Sequence, residues 1–373
     1  MKILIDASYI TDQTLTKSLT IYIKRFLDSI PSKDRDMFKA LVLPEAKKHL
    51  EKNYPWMDYV VYNPFSKDSC NRFLNNIHRR RIYRMAVEKS GCDYLFVPND
   101  LVTFSAVKVC LQKTVVIHDM KSINEKRKLS LSFWFFWYYY YLLIKHAKSV
   151  IAISNYTKED IIRFFPFKFV SKKIEVVYNS VSMEKSDNGQ LPALVESPFI
   201  LYVNALLPYK NLKTLIEAMI LLKDKIPHQL IVVGKETEYW NNDLLPLIRQ
   251  YGLENRIVRM QDITNSQLDT LYSKASLFVS TSLKEGFGYT PIEAALCECP
   301  VISTQCEALK DTTMGLLNYY EPAKDSSQLA KKILEVLNHP RPSTELHVIA
   351  EKFRTRYNNK NQYKELIKSI VKQ

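Results

Sequence analysis

Short apolar runs alternate along this chain with polar stretches whose hydrophobic positions recur at helical spacing. In the first half the runs are Lys2–Ile5, Phe38–Leu43, Tyr94–Val97, Thr114–Ile117, Val150–Ile153 and Ile174–Val177. In the second half they are Phe199–Val203, Gln229–Val233, Arg256–Met260 and Ala275–Val279. Brief, nearly continuous apolar runs separated by amphipathic segments such as Leu212–Leu222 and Ser327–Leu337 predict βα units and parallel sheets, because a strand covered by helices on both faces needs no polar alternation. Leu309–Leu317 is expected to help close the second sheet, and Thr344–Val371 reads as an amphipathic helical tail. The length, 373 residues, exceeds one usual domain. The expected division is a first domain over 1–180, a second over 181–345 and a terminal helix over 346–373, with the boundary at the turn-rich Asp187-Asn188-Gly189.

The stretch after Ala275–Val279 is the richest in chemistry. It reads STSLKEGFGYTPIEAALCECPVIS over 280–303. Thr290 suits an N-cap, Pro291 the first helical position and Glu293 the third, so a strand is expected to pass through a glycine-containing loop into a helix. The start of such a helix attracts anions through its amides and dipole. Glu285 and Glu293 flank it and could hold hydroxyls. The plainer alternative is that Glu293 only completes a capping box and Glu285 is a solvated loop acid.

The spacing Glu285, seven residues, Glu293, followed by Cys299-Pro300-Val301-Ile302-Ser303, resembles the signature of glycosyltransferase family 4. These are retaining, nucleotide-sugar-dependent enzymes with two Rossmann-like domains facing a cleft, the type B glycosyltransferase fold. The resemblance implies that the second domain holds the nucleotide sugar. Lys210 and the amides of Gly286, Phe287, Gly288, Tyr289 and Thr290 would meet the diphosphate, Glu293 the ribose hydroxyls and Glu285 the sugar ring. His118, at the end of the strand Thr114–Ile117, stands where the family carries a histidine facing the donor sugar and diphosphate. The catalytic pair is thus His118 and Glu285. Pro98-Asn99 belongs to the same rim, and Gln261-Asp262-Ile263 stands where relatives hold the base. Ile151–Thr157 and Val177-Tyr178-Asn179 resemble the family's middle motif, and the terminal helix is expected to cross back onto the first domain. The chain departs from the pattern at Ser18 and Thr20, where relatives carry a glycine pair, at Ala205, where they carry an arginine, and at Glu298, where glycine is common. The resemblance implies no cofactor beyond the nucleotide sugar as substrate, and no metal.

Charge adds a second theme. Residues 1–180 hold 30 Lys+Arg against 17 Asp+Glu, while 181–373 hold 23 against 22, so almost all of the net +14 lies in the first half. A basic half fits a phosphate-rich surface. Arg72–Arg84, RFLNNIHRRRIYR, places Phe73, Ile77 and Tyr83 on one expected helical face, with Arg79, Arg80, Arg81 and Arg84 around the rest. Lys126-Arg127-Lys128 precede sixteen uncharged residues, LSLSFWFFWYYYYLLI, which Lys145, His146 and Lys148 follow. That run is short for crossing about 30 Å of hydrocarbon. Its Trp134, Trp137 and tyrosines suit the headgroup interface, so it reads as an interfacial helix or, more plainly, a packing helix. Its aromatics are contiguous rather than spaced, which ranks single-stranded nucleic acid below an anionic membrane.

Other signals narrow the field. Six cysteines in a chain of this length do not form a disulfide ladder, and Cys297, Cys299 and Cys306 have no neighbouring fourth ligand for zinc. Asp34-Arg35-Asp36 reads as a solvated turn rather than a metal triplet. Met1–Ile5 reads as a strand and not a signal peptide. The expectation is a metal-independent hexosyltransferase, cytoplasmic and peripheral on the inner membrane face. Its expected partners are a nucleotide sugar, a saccharide or lipid-linked acceptor and the anionic membrane surface, with no nucleic acid. A non-catalytic nucleotide-sugar-binding protein and a basic nucleic-acid binder are the alternatives.

Overall fold

The computed structural model describes the chain apart from residues 16–17, 65–71, 101–104, 184, 187–188, 197 and 372–373, and gives no side chains at 72–76. The expected boundary at Asp187-Asn188 and the side chain of Phe73 therefore lie outside the described residues. The chain divides into two compact units, Met1–Ser180 with Asn359–Gln373, and Val181–Asn358.

Unit 1 is a seven-stranded sheet. Its strands are β1 (Ile3–Asp6), β2 (Phe38–Val42), β3 (Asp58–Val61), β4 (Tyr94–Val97), β5 (Gln112–Ile117), β6 (Ser149–Ala152) and β7 (Ile174–Val176). They run parallel in the order β3-β2-β1-β4-β5-β6-β7. β1, β4 and β6 are buried at every position, as strands covered on both faces must be. β3 was not anticipated. Its sequence DYVV is only half-buried, because an edge strand has one neighbour and needs fewer apolar positions. The amphipathic tail is two helices, Ser343–Arg356 and Asn359–Val371. The second packs within unit 1, where Tyr363 stacks on Phe26 and donates to Asp34 at 2.8 Å.

Unit 2 is a six-stranded parallel sheet of β8 (Phe199–Val203), β9 (Gln229–Val233), β10 (Ile257–Met260), β11 (Leu277–Ser280), β12 (Val301–Ser303) and β13 (Asn318–Tyr319), in the order β10-β9-β8-β11-β12-β13. The expected closing run over Leu309–Leu317 is instead a helical turn, Leu309–Thr312, and the closing strand is the two-residue β13. Leu309 is fully buried and Thr312 and Thr313 return their hydroxyls to carbonyls four residues back, so the apolar run packs as helix.

In both sheets the strand order reverses once, between β1 and β4 and between β8 and β11. Helices on the two sides of such a point diverge, leaving a crevice at the strands' carboxyl ends. The candidate chemistry described below lies at these ends.

The aromatic stretch forms the helix Leu131–His146. Ser130 caps its start, accepting from the Phe133 amide at 3.2 Å. At its end Lys173 Nζ donates to the carbonyls of Ile144, Lys145 and Ala147, a cation placed where helix carbonyls lack partners. A second lysine works the same way in the sheet. Lys113 is buried on β5, and its Nζ donates to the carbonyls of Ala106, Val107 and Val109 at 2.9, 3.1 and 3.0 Å. Burial pulls its pKa down to about 8. Replacing it by methionine strands three carbonyl acceptors. Lys113→Met should cost unit 1 about 2–3 kcal/mol, read as a lower urea midpoint with an unchanged slope.

Candidate functional site in two strand-end rims

The rim of unit 2 is built at the ends of β8, β9 and β11. Gly234 follows β9, where an added Cβ would lie 2.5 Å from the Asn204 carbonyl, so glycine is what lets the β8 and β9 ends approach. Beyond Asn204 the chain reaches Lys210, whose carbonyl accepts hydrogen bonds from Tyr202 Oη at 3.1 Å and Thr281 Oγ1 at 2.9 Å. The Leu283 amide donates to the Tyr209 carbonyl at 2.9 Å, tying the loop after β11 to the same segment. This clamp sets the direction of the Lys210 side chain. Its Nζ donates to Glu285 Oε1 at 2.5 Å, with the two side chains 10% and 12% exposed.

Glu285 is held from its backbone as well, since its amide donates to Glu307 Oε2 at 2.7 Å. The chain then turns through Gly288, at φ +83°, into the helix Tyr289–Leu296. Here the sequence expectation needs correction. The cap is Gly288 rather than Thr290, so Thr290 and Pro291 are the second and third helical residues. A left-handed residue before Tyr289 starts the helix two residues early, and Pro291 still occupies one of the positions whose N–H has no helical partner. Glu293 is therefore not half of a capping box. It accepts from Tyr272 Oη at 3.2 Å. Burial and the Glu293 charge keep that phenol far above its ordinary pKa.

Phe287 and Gly288 are buried. The Phe287 ring packs against Tyr357 and Tyr289, and its carbonyl accepts from Thr312 Oγ1 at 2.7 Å. These two shape the loop, and the amides that follow them open the helix.

The rim of unit 1 brings three titratable groups to neighbouring strand ends. Asp6 ends β1 with no exposed surface, accepting from Tyr83 Oη at 2.6 Å and Ser8 Oγ at 2.5 Å, and burial raises its carboxyl pKa. Asp100 follows β4 and accepts from Tyr140 Oη at 2.5 Å. His118 follows β5, with its Nε2 2.8 Å from the Pro98 carbonyl and its ring edge-on to Tyr22 at 4.8 Å. A carbonyl only accepts, so Nε2 carries the proton and Nδ1 is left as the acceptor. Burial lowers the His118 pKa, which keeps the ring neutral at pH 7.

The basic and aromatic candidates separate into inner and outer faces. Arg79, Arg80 and Arg81 are exposed on the helix Arg72–Lys89. Ile77 and Tyr83 do not share a face, as Ile77 is 49% exposed while Tyr83 is drawn inward by Asp6. Trp134 is 56% exposed, with Phe135 and Tyr138 beside it. Trp137 turns inward, stacking on Tyr141 and donating from Nε1 to the Phe164 carbonyl at 3.2 Å. It is a packing residue, and its expected surface role does not fit. The residues missed from sequence are Tyr202, Thr281, Glu307, Asp6 and Asp100. Only the two aspartates carried a signal, Asp6 directly after an apolar run and Asp100 three residues after the end of one.

Two family models match the chain. "Glycosyl transferases group 1" covers residues 184–361 and "Glycosyltransferase Family 4" covers 40–185. Among characterised relatives, the O-antigen chain mannosyltransferase RfbU of Salmonella typhimurium is 28% identical over 63% of this chain and 64% of its own length. The O-antigen chain mannosyltransferase B of Escherichia coli is 26% identical over 51% and 52%. The chain thus matches between half and two thirds of these relatives' lengths. Among solved structures, Anabaena HepE in complex with UDP and glucose superposes with a TM-score of 0.77 over the whole of both chains at 17% identity. Sucrose-phosphate synthase from Thermosynechococcus elongatus gives 0.76 over 99% of this chain and 98% of its own at 18%. These likenesses show the two-domain type B fold.

The turn at Gly288 gives a direct test of the unit 2 rim. An alanine there adopts a left-handed backbone at about 1–2 kcal/mol, and its Cβ would overlap Leu309 Cδ2 at 2.3 Å. Gly288→Ala should lower the unfolding midpoint of unit 2, read by chemical denaturation.

Proposed function

We propose, from the premise that this chain belongs to glycosyltransferase family 4, that it moves a hexosyl unit with retention from a nucleoside-diphosphate donor to a lipid-linked saccharide in surface polysaccharide or glycolipid assembly. The observation that carries the reading is the Lys210–Glu285 pair beside the left-handed turn that opens a helix. In this reading Lys210 and the amides of Gly286–Thr290 take the diphosphate, Glu293 the ribose and Glu285 the sugar ring. The anomeric carbon–oxygen bond to the diphosphate breaks while a bond to the acceptor hydroxyl oxygen forms, and the hydroxyl proton passes to the leaving phosphate oxygen. The largest contribution is stabilisation of charge on the leaving group by preset donors. His118, neutral and with Nδ1 available as an acceptor, receives a hydrogen bond from a sugar hydroxyl.

The relatives' names make mannose the first sugar to try. We assign charge neutralisation to Lys210 and the helix amides and not to a metal ion, so transfer should persist in EDTA. The outer face of the helix Leu131–His146, with exposed Trp134, Phe135 and Tyr138 next to exposed Lys126, Arg127 and Lys128, supports peripheral docking on an anionic membrane at its inner, cytoplasmic face. No helix among the described residues is long and apolar enough to cross a membrane.

A thermal-shift series with UDP, GDP, dTDP and ADP should single out one nucleotide, a ligand at a hundred times its dissociation constant adding about 2.7 kcal/mol. With the matching sugar nucleotide and membranes, Glu285→Ala should lose transfer at least about a hundredfold while keeping the nucleotide shift. Full activity of that variant overturns the site. Trp134→Ser should weaken co-sedimentation with phosphatidylglycerol vesicles and spare the nucleotide shift. Tighter, salt-dependent binding to RNA than to vesicles would instead favour a nucleic-acid surface.

A further inference from the structure

We infer that Asp100 is a positioning residue for His118, anchored by the adjacent pair Tyr139 and Tyr140 to the inner face of the aromatic helix. The inference rests on the reading of His118 as catalytic.

The carboxylate of Asp100 is buried, 4% exposed, at the end of β4. Its hydrogen-bond partner is Tyr140 Oη at 2.5 Å. Tyr139, the preceding helix residue, donates its hydroxyl to the Asp100 carbonyl at 2.9 Å. The segment Pro98–Asp100 therefore holds the His118 ring through the Pro98 carbonyl, two residues before the tyrosine anchors at Asp100. Two consecutive tyrosines hold that segment from behind. Both are buried, although the outer face of their helix exposes Trp134 and Tyr138.

A buried carboxylate bonded to a hydroxyl instead of a cation is costly to keep, which points to use rather than to stability. The charges facing it add to the cost. Asp119, beside His118 and paired with Lys121 at 3.6 Å, and Asp6, beyond Tyr139, are both acids. Burial first, and then the Asp119 charge, pushes the Asp100 pKa up to about 7, against the pull of the Tyr140 hydroxyl. The anion accepts from Tyr140. The neutral acid is a weaker acceptor for that hydroxyl and carries a donor of its own, so the Tyr140 tie loosens. The anchor on the segment that holds His118 is thus set by the protonation of Asp100, and it loosens as pH falls through about 7.

The test uses the full chain with histidine labelled by nitrogen-15, and reads His118 without substrate. In the native protein His118 should show the Nε2–H tautomer at pH 8, with an inflection of its ring shifts near pH 7. Asp100→Asn should remove that inflection and admit the Nδ1–H tautomer. Tyr140→Phe takes a donor from the carboxylate and should move the inflection to higher pH. In transfer assays Asp100→Asn should lower kcat about ten- to hundredfold at pH 8, change the donor KM less than about twofold, and lose the acid limb near pH 7. An unmoved inflection in Tyr140→Phe, or a pure Nε2–H tautomer in Asp100→Asn, overturns the inference even where both variants are less stable. Full transfer by His118→Ala would overturn the catalytic reading instead, because the tautomer measurement does not depend on activity.

Discussion

Lys210 and Glu285 come from segments 75 residues apart and meet at 2.5 Å with about nine-tenths of each side chain withdrawn from water. Withdrawing two charges costs several kcal/mol per ion, and their attraction repays this only with good geometry and further hydrogen bonds. The surrounding structure supplies that geometry from the backbone. Tyr202 and Thr281 fix the Lys210 carbonyl, and Glu307 fixes the Glu285 amide. Apolar residues of similar volume would fill this space at no loss of stability, so the pair is better explained by what it can do when an anion arrives. In the proposed reading a diphosphate would offer Lys210 a second partner and free Glu285 for a neutral hydroxyl. The pair keeps both groups hydrogen-bonded in the absence of ligand and commits neither.

The strands were legible because a parallel sheet needs continuous apolar runs, and those runs survive in the sequence without tertiary context. Where one face was open, legibility failed. The edge strand β3 carries an aspartate and two half-buried positions, and reads as loop. Leu309–Leu317 reads as strand because burial alone does not distinguish a short helix from a short strand. At the start of Tyr289–Leu296 two rules competed. Thr-Pro-x-Glu is a helix-start pattern, but the glycine two residues earlier reaches a backbone conformation closed to threonine, and packing of Leu309 against it decided the matter.

Site residues divided along the same line. Lys210, Glu285, Glu293 and His118 could be named because the stretches that carry them resemble those of glycosyltransferase family 4, whereas the groups that aim them could not. Tyr202, Thr281 and Glu307 act through hydroxyls and a carboxylate brought together by the β8–β11 reversal, and nothing local distinguishes them. Trp134 and Trp137 show the reverse problem. They are three residues apart and chemically alike, yet one faces out and the other donates to the Phe164 carbonyl, with Phe165 packed against its ring and Tyr141 of the same helix stacked beside it.

The basic character of the first half also divides by depth. The net charge of residues 1–180 is +13, but its carriers in the segments that drew attention, Arg79–Arg81 and Lys126–Lys128, are on the outside. At the strand ends within the same unit every shift runs toward neutrality. Burial raises Asp6 and Asp100 and lowers His118. Long-range attraction and local chemistry are thereby separated. Exposed cations draw an anionic surface through water and are weakened by salt. A rim that is nearly neutral and poorly solvated keeps a low local dielectric, in which hydrogen bonds to a developing charge are stronger than in water. Under the proposed reaction, arginines lining the strand ends would hold diphosphate tightly before and after transfer alike, and binding that is equal in both states does not speed the chemical step.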